Sequence, residues 1–195
     1  NIMSKANFSI DDLIKIGTSI EGHPDNIVPA FIGGYTISSL EDDTVIYFRQ
    51  EAYDGFKYGV MIPEFTLSTS VAREVLPKTI SYKDGVFNIG KSALLSAAMI
   101  TGNGKLLEYA CKDRIHQPYR QHLIPGFETI KSMADSLGAL GSFLSGAGPT
   151  IVSVLNSDDS IFEKEMSKFL QSTKGGWTLK IVKASNTGVQ ARTLS

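Results

Sequence analysis

A short stretch near the N-terminus concentrates the side chains that could do chemistry. Positions 21–26 read Glu-Gly-His-Pro-Asp-Asn, so carboxylates, an imidazole and an amide follow directly after a predicted helix. Such a set could hold a metal ion through Glu21 and present polar groups to a substrate hydroxyl. Pro, Asp, Asn and Gly are also the residues that turns prefer, so composition alone leaves an ordinary turn equally open.

A stretch of small residues lies between two predicted strands. Positions 145–150 read Ser-Gly-Ala-Gly-Pro-Thr. Glycines let the backbone approach a ligand closely, and consecutive amides in a tight turn can bind an anion. A glycine-containing hairpin turn explains the same letters, and a lone pair of glycines around one residue is weak evidence for a binding site.

Two arginines stand in polar surroundings. Arg73 ends the stretch 69–73, which begins with a threonine, and Arg120 ends the stretch 113–120, DRIHQPYR. A guanidinium group binds a carboxylate or a phosphate through two parallel hydrogen bonds. Surface arginines are common, and for Arg114 we expect a solvated or paired side chain.

The elements that must position these residues follow from hydrophobic spacing and from cap and turn residues. Pro24 disfavours a helical conformation for the residue before it, so 21–26 is predicted as a loop. Asn88 falls inside a long helix, where a solvent-facing position is favoured over one that faces a cleft. The predicted helices cover residues 9–20, 81–101, 106–115, 126–137 and 158–170. The predicted strands cover residues 35–40, 44–50, 56–63, 142–144, 151–155 and 177–182.

The order of these elements indicates an α+β fold with two domains. From residue 56 the order is strand, helices, strand, strand, helix, strand, which is the β-α-β-β-α-β order of a ferredoxin-like sandwich with extra helices in its first crossover. The sequence therefore predicts a C-terminal ferredoxin-like domain over 55–195. Residues 1–54 belong to a different, incomplete domain.

Composition narrows the class of protein. The chain has 195 residues, 42% of them hydrophobic, with 19 basic and 20 acidic side chains. This balance predicts no nucleic-acid binding, and no apolar run approaches the roughly 18 residues that would span a membrane. A single cysteine, Cys111, excludes an internal disulfide framework and fits a reducing compartment. We therefore expect a cytoplasmic globular protein, with Cys111 as a core residue.

Taken together and in this order, three stretches resemble the homoserine kinase family of the GHMP kinases. Residues 21–34, EGHPDNIVPAFIGG, are similar to the central signature of that family, and residues 113–126, DRIHQPYRQHLIPG, to its second diagnostic stretch. Residues 142–155, SFLSGAGPTIVSVL, resemble the third motif that all GHMP kinases share. The resemblance covers nearly the whole chain.

The resemblance implies a fold, an activity and a set of site residues. The implied architecture is an incomplete ribosomal-protein-S5-like domain followed by the ferredoxin-like domain. The implied activity is phosphorylation of the L-homoserine hydroxyl by ATP with Mg²⁺, on the route to threonine. The implied roles are magnesium binding by Glu21, lining of the phosphoryl-transfer region by His23, Asp25 and Asn26, substrate binding by Thr69, Arg73 and Arg120, and a site floor formed by Gly146 and Gly148. Whether Asp25 acts as a base or only orients the hydroxyl stays open.

The resemblance also predicts what this chain does alone. The family's ATP phosphate-binding loop would lie upstream of Asn1, so the residues of the ATP site are unknown and we expect poor ATP binding, no turnover and a tendency to associate. We expect Arg73 and Arg120 to converge on one cleft beside residues 23–26. Whether the protein forms a homodimer stays open. The alternative functions are a non-catalytic amino-acid-binding module and another GHMP small-molecule kinase.

Overall fold

The computed structural model describes residues 6–156 and 159–191, which pack as two units. The first unit contains 6–52 and 184–191, and the second contains 53–156 and 159–183. The tail after Lys183 therefore packs with the first unit, where the Gly34 N–H donates to the Ser185 carbonyl at 2.8 Å. The sequence-based division placed this tail in the second domain, and its boundary after residue 54 stays a prediction.

The first unit consists of two helices and a hairpin. They are α1 (Ile10–Glu21), α2 (Pro24–Ile32), β1 (Tyr35–Glu41) and β2 (Thr44–Gln50). Helix α1 begins with a capping box at Ser9, because the Ser9 side chain accepts the Asp12 N–H at 3.1 Å and the Asp12 carboxylate accepts the Ser9 N–H at 2.9 Å. Antiparallel pairing of β1 with β2 confirms the predicted hairpin.

The prediction of a loop over 21–26 was wrong for its second half. Helix α1 ends at Gly22, which has a φ of 86°, and α2 already begins at Pro24. Proline is well tolerated at the first helical position because the N–H that it lacks would have no partner within the helix. Asp25 and Asn26 therefore lie in the first turn of a helix, and only Gly22 and His23 separate α1 from α2.

The second unit contains a four-stranded antiparallel sheet. Its strands are β3 (Phe56–Ile62), β4 (Gly141–Leu144), β5 (Ile151–Asn156) and β6 (Thr178–Val182), in the order β4-β5-β3-β6. Strand β3 pairs with β5 and with β6, so β3 and β5, the first and third strands of the unit, lie at the centre of the sheet, with β4 and β6 at its edges. This arrangement confirms the predicted ferredoxin-like sheet.

Six helices and a short 3₁₀ turn connect these strands. The helices are α3 (Thr69–Glu74), α4 (Tyr82–Thr101), α5 (Gly104–Ala110), α6 (Gln117–Arg120), α7 (Phe127–Ser136) and α8 (Ser160–Gln171), and the turn is Gln121–Leu123. Helix α3 was not predicted, and the helix predicted over 106–115 ends at Ala110. The predicted start of α8 at Asp158 lies outside the described residues. No helix in the described part of the chain is both long and apolar enough to cross a membrane.

One face of the sheet packs on α7 and α8. Met61 and Ile151 from the sheet, Ile130 from α7, and Met166 and Leu170 from α8 are buried in one cluster. Ile161, near the start of α8, lies outside this cluster, since 72% of its surface is exposed.

The segment between α5 and α6 is fixed by one carboxylate. Asp113 accepts hydrogen bonds from the backbone N–H groups of His116 and Gln117, at 2.8 and 2.7 Å, and from the Asn88 side-chain amide at 2.6 Å. The Asn88 carbonyl oxygen in turn accepts the Arg114 N–H at 3.0 Å. Asn88 therefore joins α4 to the start of α6, and the favoured solvent-facing position was wrong.

Hydrogen bonding also sets the protonation of Asp113. Burial alone would raise the pKa of this carboxyl, but the hydrogen bonds from His116, Asn88 and Gln117 outweigh burial and lower the pKa. The folded protein therefore stabilises the ionised, carboxylate form of Asp113.

Replacement of Gly59 by valine should destabilise the second unit. A Cβ atom at Gly59 would lie 2.8 Å from a ring carbon of Phe162, so the larger side chain overpacks the core and should lower the free energy of unfolding by about 1–3 kcal/mol. The double variant Gly59→Val/Phe162→Leu should lose less than the two single changes added together, because the shorter leucine makes room. Urea unfolding measures both.

The matched control for this experiment is Gly90→Ala. A Cβ atom at Gly90 in α4 would meet no atom within 4 Å. Because glycine loses more conformational freedom in a helix than alanine does, this change should raise the free energy of unfolding by about 0.5–1 kcal/mol. If the Gly59→Val variant were as stable as the wild type, the packing described between β3 and α8 would be contradicted.

Replacement of Asp113 by asparagine should destabilise the fold in a pH-dependent way. Asparagine carries an NH₂ group that faces a donor, so we expect a loss of about 1–3 kcal/mol at neutral pH. Because the folded state lowers the pKa of Asp113, its contribution is present above the unfolded pKa and is lost as pH falls through the folded pKa. The stability difference between variant and wild type should therefore shrink in acid. Urea titrations at neutral and acidic pH measure this stability difference, and Glu163→Gln on α8 is the control. A difference that does not change with pH would contradict the lowered pKa of Asp113.

Candidate functional site

The Arg120 side chain connects three segments of the second unit. Its Nε donates to the Ala72 carbonyl on α3 at 2.9 Å, and its Nη1 donates to the Gly146 carbonyl at 3.3 Å. Nη1 also lies 3.3 Å from His116 Nδ1, one turn earlier along the chain. The structure thus brings Arg120, the helix that carries Thr69 and Arg73, and the glycine turn into one site.

The contact with Arg120 determines the tautomer of His116. A guanidinium group donates hydrogen bonds and cannot accept them, so Nδ1 is the acceptor and the ring proton lies on Nε2. Burial lowers the pKa of His116, and the Arg120 charge adds to this effect, whereas the Asp113 carboxylate opposes it. His116 is therefore neutral near pH 7 and leaves the charge of Arg120 uncancelled.

Arg73 and Arg120 place two positive charges close to each other. Burial is the main cause that lowers the pKa of Arg120, and the Arg73 charge lowers it further while Asp113 raises it. An arginine nevertheless stays protonated at neutral pH. Within residues 6–156 and 159–191, neither guanidinium group has a carboxylate oxygen within 4 Å, so neither forms an ion pair there. The pair is therefore suited to bind an anion.

The turn 145–150 forms the edge of this site. The Ser145 N–H donates to the Thr150 carbonyl and the Gly148 N–H donates to the Ser145 carbonyl, both at 2.9 Å, which confirms the predicted tight turn. Gly146 and Gly148 have φ angles of 56° and 82°, in the region that favours glycine. The Gly148–Pro149 peptide bond is cis.

Sequence reasoning missed Gln117 as a residue of the site. Its side-chain oxygen accepts the Leu144 N–H at 3.0 Å, and only 9% of the residue is exposed. Leu144 is the last residue of β4, so Gln117 fixes the strand end that leads into the glycine turn. A glutamine at the start of a short helix carries no pattern that predicts a partner 27 positions away.

Thr69 and Arg73 lie at opposite ends of α3 and are exposed. The only buried residue of this short helix is Ala72, whose carbonyl accepts the Arg120 bond. The arginine is thus placed near Arg120, whereas the binding role of Thr69 stays a prediction.

The four predicted site residues of the first unit lie where α1 meets α2. Glu21 ends α1, His23 precedes α2, and Asp25 and Asn26 occupy the first turn of α2; all are exposed. The N-terminal turn of a helix presents unpaired N–H groups and attracts anions. That these residues share a cleft with Arg73 and Arg120 stays a prediction.

Glu21 is the predicted magnesium ligand of the first unit. No cluster of three or more His, Cys, Asp and Glu side chains suited to a metal ion occurs in the part of the chain that the structure describes. Mg²⁺ commonly takes one or two carboxylates and completes its shell with water and phosphate oxygens. An exposed Glu21 fits that requirement as a single ligand.

Comparisons with known proteins show which proteins this chain is similar to. The family described as GHMP kinases C terminal matches residues 95–169. Homoserine kinase from Clostridium botulinum (strain ATCC 19397 / Type A) is 46% identical over 177 residues, which cover 91% of this chain and 60% of that protein. Homoserine kinase from Caldicellulosiruptor saccharolyticus is 43% identical over 190 residues, which cover 96% of this chain and 62% of that protein. The chain thus spans about 60% of the length of these curated relatives.

Solved structures show the same fold. The crystal structure of homoserine kinase from Cytophaga hutchinsonii superposes with a TM-score of 0.87 at 25% identity, and the match covers 96% of this chain and 62% of that one. Mevalonate kinase from L. major, in complex with R-mevalonate, superposes with a TM-score of 0.62 at 18% identity and covers 92% of this chain and 60% of that one, which shows the fold alone. Over residues 95–169 the chain therefore carries a GHMP kinase C-terminal domain, and along more than nine-tenths of its length it is similar to homoserine kinases.

Proposed function

We propose that the protein carrying this chain is a homoserine kinase, which transfers the terminal phosphoryl group of ATP to the side-chain hydroxyl of L-homoserine. The curated relatives named above support this proposal because they align along more than nine-tenths of the chain. The product would be O-phospho-L-homoserine. A cytoplasmic place on the route to threonine follows from the same proposal.

The observation that carries the proposal is the uncancelled pair of arginines. Homoserine offers one carboxylate, one ammonium group and one hydroxyl, and only the hydroxyl reacts. Arg120 is held by the Ala72 and Gly146 carbonyls and by a neutral His116, so its positive charge remains for a ligand. A planar guanidinium binds a carboxylate in a fixed orientation, which would direct the hydroxyl at the other end of the substrate.

The glycine turn and Gln117 would shape the floor of the substrate site. Gly146 contributes the carbonyl that orients Arg120, and Gly148 holds the backbone conformation that brings this carbonyl there. Gln117 anchors the preceding strand at Leu144. We therefore assign substrate binding to Arg73, Arg120 and the turn, with Thr69 as a further contact.

The residues at the start of α2 would serve the reacting groups. Asn26 and His23 can hydrogen-bond the substrate hydroxyl, and Asp25 can orient it or accept its proton. Glu21 would hold Mg²⁺, which neutralises charge on the phosphates when it is bound. Phosphoryl transfer depends mostly on alignment and electrostatic stabilisation, so these residues need not form a strong base.

Substitution of either arginine should weaken the use of homoserine. In the complete gene product, Arg73→Lys and Arg120→Lys should each cost about 2–4 kcal/mol of transition-state binding, as for a truncated charge pair shielded from water. The loss should appear largely in the KM for homoserine, with the KM for ATP nearly unchanged, because lysine cannot reproduce the planar two-bond contact. Steady-state kinetics with each substrate varied measures it.

Arg114→Lys is the matched control for the arginine variants. Arg114 lies in the same stretch, but it pairs with Asp84 at 3.5 Å and stacks on the Phe87 ring at 3.9 Å, so its replacement should leave both KM values near wild type. Normal homoserine kinetics for both Arg73→Lys and Arg120→Lys would refute the substrate assignment.

His116 should act as a positioning residue for Arg120. His116→Phe removes the acceptor for Arg120 Nη1 and should raise the homoserine KM roughly 3- to 10-fold, the effect of about one lost hydrogen bond. His116→Asn supplies a new acceptor and should recover part of the loss. The exposed His122→Phe serves as control. An asparagine variant no better than the phenylalanine variant would show that His116 only fills space.

A further inference from the structure

The imidazole ring of His116 lies between two charged groups of opposite sign. Its Nδ1 lies 3.3 Å from Arg120 Nη1, and its Nε2 lies 3.8 Å from Asp113 Oδ1. The first contact is a hydrogen bond that the neutral ring accepts, whereas the second distance is too long for a hydrogen bond. The neutral ring is therefore held by Arg120 and not by Asp113. About 33% of the His116 side chain is exposed, so a proton from water can reach the ring.

A protonated ring would have the opposite preference. An imidazolium group carries an N–H on both nitrogens, so it has no acceptor left for a guanidinium group. Nδ1 and Arg120 Nη1 would then be two positively charged donors 3.3 Å apart. Within the residues that the structure describes, Asp113 Oδ1 accepts one hydrogen bond, from the Asn88 amide, so it can accept a second. The charge-assisted bond to Asp113 therefore becomes the better contact for the ring.

Asp113 and Arg120 are the charged groups that act on His116. Burial is the main cause that lowers the pKa of His116, the Asp113 charge raises it, and the Arg120 charge lowers it further. The neighbouring elements carry other titratable side chains, which are Arg73 and Glu74 on α3, Lys83, Asp84 and Lys91 on α4, and His122 in the 3₁₀ turn. The glycine turn 145–150 carries none.

The Nη2 group of Arg120 is the one left for a ligand. In the described ranges, Nε donates to the Ala72 carbonyl and Nη1 contacts the Gly146 carbonyl and His116, so Nη2 has no protein acceptor there. A carboxylate bound through Nη2 lies away from the contact between Nη1 and the ring. A positive charge on His116 is thus closer to Arg120 than to that carboxylate, and repulsion of Arg120 outweighs attraction for the substrate.

From these contacts we propose that His116 makes the substrate site sensitive to pH. In acid, the protonated ring turns toward Asp113, Arg120 loses one of the contacts that orient it, and homoserine binds more weakly. This effect rests on the proposed function, because homoserine is the proposed substrate. Burial lowers the pKa of His116, so the change falls below about pH 6.5, the ordinary pKa of histidine.

The direction in which homoserine moves the pKa of His116 tests this proposal. If homoserine binds better when His116 is neutral, linkage requires that saturating homoserine lowers the pKa of His116. Simple attraction between the ring and the substrate carboxylate would raise the pKa instead. The two explanations therefore predict opposite signs.

NMR of the histidine ring signals measures this direction. The complete gene product is titrated from about pH 5 to about pH 8, around the ordinary pKa of histidine, with and without homoserine. A non-hydrolysable ATP analogue is present in both samples, so that no phosphoryl group is transferred. The His116 signal is the one that is missing from the spectrum of His116→Asn. If that variant does not fold, His116→Gln supplies the same assignment.

Steady-state kinetics gives an independent measurement. The homoserine KM of the wild type should rise roughly tenfold on the acid side, through the loss of about one hydrogen bond together with like-charge repulsion, and the ATP KM should not follow this curve. His116→Asn has an uncharged acceptor at every pH, so its homoserine KM should stay nearly constant over the same range. The exposed His122→Phe is the control and should show the pH dependence of the wild type.

Two results would overturn the proposal. The first is a pKa of His116 that homoserine raises or leaves unchanged. The second is a homoserine KM that rises in acid as steeply in the His116→Asn variant as in the wild type. Both results leave homoserine phosphorylation itself intact, whereas the proposed function fails if the complete gene product phosphorylates no homoserine at any pH.

Discussion

The hydrogen bonds to the Asp113 carboxylate are the interaction on which the second unit's site depends. They fix the first N–H groups of α6 and tie them to Asn88 on the long helix α4. From that point the four-residue helix α6 sets the direction of both Gln117 and Arg120. Without this anchor, the guanidinium group would have no fixed relation to the glycine turn.

The same anchor explains how a buried negative charge is tolerated close to a site for anions. A carboxylate removed from water is unfavourable unless donors replace its hydration, and here backbone and amide N–H groups do so. The Asp113 carboxylate therefore accepts its hydrogen bonds from these N–H groups and forms no direct hydrogen bond with Arg120. The neutral carbonyl groups of Ala72 and Gly146 orient Arg120 instead. The guanidinium group is therefore held in place while its positive charge stays available for a ligand.

Local sequence signals predicted the parts of the fold that local physics determines. The start of α1, the end of α4 and the order of strands and helices in the second unit all follow from residues close in sequence or from simple alternation. The start of α2 was missed because Pro24 both ends a helix before it and begins one after it. Proline alone does not distinguish these two roles.

The remaining misses depend on contacts between distant parts of the chain. Helix α3 has only six residues and little apolar periodicity, so no pattern indicates it. Asn88 and Gln117 read as ordinary polar residues because their partners lie 25 and 27 positions away. Grouping Arg73 with Arg120 came from the family resemblance, since arginine in a polar stretch is by itself uninformative.

The spacing from Asp113 to Arg120 has a consequence for how this segment can vary. The carboxylate must reach the N–H groups three and four residues later, and the guanidinium must lie one helical turn beyond His116. One inserted residue would rotate α6 by about 100° and turn Gln117 away from β4. Substitutions can therefore accumulate at exposed positions such as Tyr119, whereas insertions and deletions between 113 and 120 should be absent from functional descendants of this gene.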